Sequence, residues 1–156
     1  MKQNPLINFF IKLVSTFFFT GYLPLIPGTF GSLVGVGIFC LLAKSNFLIY
    51  FLVILGITFF GLFTCGKMEK ILGKKDPGCI VIDEVMGMLV ALSFMPFNFK
   101  IIILGFLIFR ILDTLKPYPA DKLQYLHGSL GVMGDDLVAA LYTNLILSLI
   151  VRFSLI

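Results

Sequence analysis

The sequence predicts an all-α fold: a polytopic membrane bundle of about five short spans with an N-terminal interfacial helix, in a single domain over residues 1–156. Three observations predict it. Hydrophobic residues form 59% of the chain, 18 of them Phe, and the mean hydropathy is +1.06. Charged residues supply only 13%, about half the 25% usual in soluble domains. The apolar stretches also follow one another with only short polar turns between them, which leaves no room for a second, soluble core.

Taken in order, Leu6 to Phe19 is apolar but interrupted by Lys12, and so reads as a helix lying in the interface. No small-residue cleavage site follows it, so it reads as retained rather than as a signal peptide. "PLIPGTFGS" (Pro24–Ser32) is a Pro/Gly loop that runs directly into an apolar helix pattern, and Phe30 to Ala43 reads as the first span. Phe47 to Cys65 is the clearest span, with 19 residues and no charge, close to the roughly 20 that cross a bilayer core. Val85 to Phe97 and Ile101 to Phe109 are short, and can be completed by local thinning or by the flanking turns. Leu137 to Ile156 is long enough, with Arg152 near its end.

This order puts Lys44–Asn46 and Asn98–Lys100 on one side of the membrane. Lys67, Lys70, Lys74, Lys75, Lys116 and Lys122 fall on the other, which the positive-inside rule makes cytoplasmic. The net charge of +4 is spread over lysines flanking apolar runs, a pattern for topology and anionic headgroups rather than nucleic acid. Cys40, Cys65 and Cys79 form no CxxC pair and read as reduced packing residues.

All eight acids fall in or beside the two cytoplasmic connections. Five of them, Asp83, Glu84, Asp113, Asp135 and Asp136, stand at the ends of apolar helices, where an ionised carboxylate is costly. A divalent cation would offset that cost, and oxygen ligands without a His or Cys cluster favour magnesium, manganese or calcium over zinc. The alternative is a set of ordinary interfacial charges and helix caps. Neighbours on a helix point about 100° apart, so regular backbone should send one acid of each pair to an ion and the other elsewhere. Gly87, Ala139 and Ala140 would let the helices approach closely.

Arg110, Asp113 and Lys116 recur every three residues. They read either as a salt-bridge strip or as an Asp ligand beside cations that neutralise a phosphate. In the opening loop Gly28 and Gly31 permit close approach, Thr29 and Ser32 offer hydroxyls, and a helix N-terminus follows, a combination suited to an anion. Other phosphatase chemistries lack their residues. There is no CxxxxxR loop and no DxDx[TV] motif, and His127, in a polar loop, is the single histidine. What remains is metal-assisted attack of water on a phosphoryl group. A small divalent-cation transporter or channel is the rival reading, since acids within membranes also mark ion paths. It leaves the phosphate-suited loop, Arg110 and Lys116 without a role. A lipid phosphotransferase would carry a DGxxAR signature, which is missing.

"PGTFGS" (27–32), "DPGCIVIDEVMG" (76–87), "DTLKPYP" (113–119) and "GVMGDD" (131–136), in this order and spacing, resemble the phosphatidylglycerophosphatase A family over about Gly21 to Leu141. The resemblance implies a magnesium-dependent enzyme of the bacterial cytoplasmic membrane, multi-pass, with its active site facing the cytoplasm. In phospholipid biosynthesis such an enzyme hydrolyses phosphatidylglycerophosphate to phosphatidylglycerol and phosphate. It implies that Asp83, Glu84, Asp113, Asp135, Asp136 and Lys116 are catalytic, with Asp83, Glu84, Asp113 and Asp136 holding Mg2+. Thr29, Gly31, Ser32, Arg110 and Lys116 would bind the substrate phosphate. On this reading residues 1–20 form the interfacial helix, 21–32 the phosphate loop and 33–156 the bundle. Homodimerisation is left open. Ser129 and Met86 depart from the family pattern, where a second glycine and a β-branched residue are expected; neither removes a proposed ligand.

Overall fold

The computed structural model describes residues 4–153, and the described residues form seven α-helices and no strand. They are α1 (Pro5–Ser15), α2 (Pro27–Leu42), α3 (Phe47–Leu72), α4 (Ile82–Leu92), α5 (Phe99–Leu115), the single turn α6 (Ala120–Leu123) and α7 (Ser129–Arg152), with a 3-10 turn at Thr20–Tyr22. Met1–Gln3 and the last three residues of the expected final span lie outside the described residues.

Local chemistry sets most of the helix starts. Asn4, Asn46 and Asn98 each turn a side-chain oxygen onto a free amide of the first turn, of Leu6, Ile49 and Lys100 respectively. α1 ends early, at Ser15, because Phe17, Phe18 and Phe19 all take positive φ. It buries Ile11 and Ser15 against the bundle and exposes Leu6, Ile7, Phe9 and Phe10.

α4 is the hub, in contact with α2, α3, α5 and α7. Nine of its eleven residues are buried, as befits a helix that is apolar on every side. Its C-terminal carbonyls, which have no partner within the helix, are met from neighbouring helices. The Asn144 side-chain amide donates to the carbonyls of Ala91 (3.1 Å) and Ser93 (2.7 Å), and the Tyr50 hydroxyl donates to that of Leu89 (2.6 Å). Gly87 lets α5 and α7 close in, since a Cβ there would stand 2.7 Å from Phe109 and 3.4 Å from the Asp136 carbonyl. The core runs through Val85, Met88, Leu89, Leu92, Phe109 and Leu147.

Two helices among the described residues, Phe47–Leu72 and Ser129–Arg152, are long and apolar enough to cross a membrane. The expected count of five is therefore cut to two by that measure. α2 and α5, with 16 and 17 residues, reach about 24–26 Å at 1.5 Å per residue, and the 11 residues of α4 about 16 Å, against a hydrocarbon core of about 30 Å. α3 runs past the expected boundary at Cys65 to Leu72 and so carries Lys67 and Lys70 on the helix. It exposes Phe47, Leu48, Phe51, Leu52, Leu55, Phe59 and Phe63, a face suited to hydrocarbon. The turns at Ser45 and Phe97 meet at one end of the bundle around a cleft of about 210 Å³, where Phe47 stacks on Phe94. Cys40, Cys65 and Cys79 are unpaired thiols; Cys65 is buried and Cys40 exposed.

Candidate active site

The first turn of α4 carries Asp83 and Glu84, where the helix dipole favours acids. The Glu84 amide donates to Asp83 Oδ1 at 3.0 Å. Asp136 arrives from α7, and one carboxylate oxygen from each of Asp83, Glu84 and Asp136 lies within 4.8 Å of the other two. Glu84 Oε2 and Asp136 Oδ2 are buried and have no hydrogen-bond partner among the described residues. Buried oxygens without donors are costly, and three carboxylates at this spacing repel one another. Hard oxygens converging without donors are what a divalent cation such as Mg2+ binds, so the residues present fit that ion.

The two acid pairs behave differently. Asp83 and Glu84 both enter the cluster, contrary to the expectation that adjacent helical residues split. The longer Glu84 side chain makes up the angle between them. Asp135 and Asp136 do split: Asp136 joins the cluster, while Asp135 Oδ2 accepts a hydrogen bond from Lys116 Nζ.

Around this cluster stand the cations. Arg110 Nη1 donates to Asp113 Oδ2 at 2.8 Å, one turn apart on α5. Asp113 is an electrostatic neighbour of Glu84 and Asp136, without being one of the three whose oxygens converge. The expected strip with Asp113 between two cations is only half formed. Lys116 ends α5 in the left-handed conformation (φ 46°, ψ 60°), leaves the helical face and turns to Asp135 on α7 instead. Burial alone would lower the Lys116 pKa, but the hydrogen bond and charge of Asp135 outweigh it and raise it, so the amine stays charged. Asp76, solvent-accessible in the α3–α4 connection, is pushed up by partial desolvation of its carboxyl and by the charge of Asp135.

The segment expected to be a phosphate loop is largely helix. From Pro27 onward, Thr29, Gly31 and Ser32 lie in the first turns of α2, because proline starts a helix readily. The Ser32 hydroxyl is buried and donates to the Gly28 carbonyl (3.0 Å). Gly31 faces α4, where a Cβ would stand 2.8 Å from that of Val81. The half-buried Thr29 has a hydroxyl with no hydrogen bond among the described residues.

Gly28 ties this helix start to the acids. A Cβ there would lie 2.3 Å from Glu84 Oε1 and 3.3 Å from Arg110 Nη1. The start of α2, Glu84 and Arg110 therefore share one place. In the sequence Gly28 reads only as permissive backbone; its role as the seat for Glu84 depends on a contact 56 positions away in the chain. The sequence alone assigns no role to Asp76, which neighbours Lys116 and Asp135 electrostatically and lines a cleft of about 290 Å³ with Lys75, Gln124 and Tyr125. The available signal was its place at the head of "DPGCIVIDEVMG". His127 is exposed and stands apart from the cluster. Ser129 starts α7 and its hydroxyl accepts the Gly66 amide at 2.7 Å, which pins α7 to α3.

Comparison with known proteins agrees with the motifs. Residues 13–151 match the family model described as phosphatidylglycerophosphatase A. A phosphatidylglycerophosphatase A of Escherichia coli is 37% identical over 129 residues, covering 81% of this chain and 75% of that protein. A Haemophilus influenzae protein of the same name is 32% identical over 149 residues (94% and 91%). A Bacteroides thetaiotaomicron protein, provisionally named a phosphatidylinositol-3-phosphatase, is 33% identical over 150 residues (90% and 93%). No solved structure matches the chain. With the family model spanning most of its length and two relatives of that name above 30% identity, the chain belongs to the phosphatidylglycerophosphatase A family.

Proposed function

We propose that the chain hydrolyses the terminal phosphate monoester of phosphatidylglycerophosphate, giving phosphatidylglycerol and inorganic phosphate in bacterial phospholipid synthesis, and that it depends on Mg2+. The carrying observation is the convergence of Asp83, Glu84 and Asp136 within 4.8 Å, with two buried oxygens lacking partners, beside Arg110. These three carboxylates would hold the ion, which when bound supplies positive charge against the phosphoryl oxygens and lowers the pKa of water. Arg110 and the Thr29 hydroxyl face the same phosphate. Asp113, fixed by Arg110, accepts the proton of the attacking water. The water oxygen bonds to phosphorus, the bond from phosphorus to the glycerol oxygen breaks, and that oxygen leaves with a proton from solvent.

The lipid requires a membrane. We place the protein as one multi-pass domain of the cytoplasmic membrane, with α2 and α5 completing short spans by local thinning and the acidic end facing the cytoplasm. Family membership does not favour a cation transporter, and Arg110 against Asp113 would have no task in cation conduction.

The provisional name of the Bacteroides relative makes the headgroup the open choice. Purified protein in mixed micelles with Mg2+ would be offered phosphatidylglycerophosphate, phosphatidylinositol 3-phosphate and soluble glycerol 3-phosphate, with Asp83→Asn as control. The proposal expects phosphate release to be fastest by at least about tenfold on the first, and absent in the variant. Preference for the inositol lipid would overturn the substrate and leave the phosphatase chemistry standing.

A further inference from the structure

We propose that the site takes a single divalent cation and that the Lys116 ammonium stands where a second one would otherwise bind. This rests on the reading that Asp83, Glu84 and Asp136 hold a metal. Two adjacent acids, Asp135 and Asp136, lie within α7, past its first turn. Asp136 opens onto carboxylates only, and its Oδ2 has no donor. Asp135, one residue earlier and equally buried, is already met by Lys116 across the gap between α5 and α7. One acid is thus left for an ion while its neighbour is neutralised by the protein itself.

The backbone of Lys116 fits this placement. It ends α5 at φ 46°, a conformation that glycine adopts freely and that strains a residue with a Cβ. The left-handed turn and Pro117 take the chain off the helical face of Arg110 and Asp113 and lead the ammonium to Asp135. Asp135 Oδ1 remains buried without a partner, so removing the ammonium would leave an acidic pocket with oxygen free to bind a metal. A fixed ammonium also keeps one positive charge in the site when metal is scarce, and by repelling a second cation it holds the site to a single ion when metal is plentiful.

Counting bound Mn2+ by electron paramagnetic resonance tests this on the full chain in detergent. The expected stoichiometry is one ion per chain in the wild type and in Lys116→Arg, two in Lys116→Ala, and one again in Lys116→Ala with Asp135→Asn. Two ions in the wild type, or one in Lys116→Ala, would overturn the inference and leave the carboxylate site intact. No bound ion in the wild type would overturn the metal reading itself, and the inference with it. Should the alanine variant fold poorly, Lys116→Gln, which removes the charge and keeps a polar side chain, is expected to bind two ions, and one ion there would overturn the inference.

Discussion

Glu84 is reached by α2, α4 and α5 at once, and Gly28 is the reason it can be. A Cβ at position 28 would collide with Glu84 Oε1 and crowd Arg110. Because the Glu84 carboxylate can swing away, Gly28→Ala should fold but lose Mg2+ affinity by about tenfold or more, as read by metal titration. Asp113 separates two roles. Asp113→Asn should cut the turnover number by about 100-fold, the lower range for loss of a general base, and leave metal affinity nearly unchanged. Asp83→Asn and Asp136→Asn should lose both, by more than the roughly 100-fold that follows loss of an outer partner. Equal metal affinity in all three variants would contradict this division. Asp83, Glu84 and Asp113 were legible in the sequence because acids at the ends of apolar helices are costly and so conspicuous; Asp135 and Asp136 stand not at a helix end, as expected, but past the first turn of α7, because that helix starts at Ser129 rather than near Leu137. The partners of these acids were not legible. That Lys116 turns to Asp135 rather than back to Asp113 follows from a left-handed helix end, which the spacing of 110, 113 and 116 cannot reveal.

α4 shows where reading of the chain stopped short at the scale of elements. Asn46 and Asn98 stood in the sequence only as polar turn residues, and the structure gives them a second task as caps of α3 and α5. α4 itself appeared as a span over Val85–Phe97, because a helix apolar on all sides looks the same in a protein core and in lipid. It ends at Leu92, where Ser93 becomes extended and Phe94 left-handed, and Pro96 bars the helix from Met95. At 11 residues it is set inside the bundle with its carbonyls held by Asn144 and Tyr50. Losing buried partners of this kind costs about 1–3 kcal/mol each. Asn144→Leu should therefore lower the thermal unfolding midpoint and, by letting α4 slide along α7, weaken activity about 12 Å away (8 residues at 1.5 Å). Asn144→Gln should restore part of both. A stable, fully active Asn144→Leu would show that the cap does not set the register of α4.

For the whole molecule, the separation of the two ends was legible from the distribution of charge. The turns near Ser45 and Phe97 share one end around their aromatic cleft, while Glu69, Asp76, Lys116 and Asp135 gather with the carboxylate cluster. The number of crossings was not legible, since α2, α4 and α5 are shorter than a bilayer core and only their packing decides how deep they sit. Thiol labelling in sealed vesicles, with the three native cysteines replaced, should place Ser45→Cys and Lys75→Cys on opposite sides, the latter cytoplasmic. Labelling of both from one side would contradict the proposed topology.

The most direct measurement is phosphate release from phosphatidylglycerophosphate by the purified chain, in Mg2+, in EDTA, and as Glu84→Gln in Mg2+. The account predicts turnover in the first condition, its loss in EDTA with recovery on added Mg2+, and loss in Glu84→Gln. Full turnover in EDTA, or in Glu84→Gln, would contradict it.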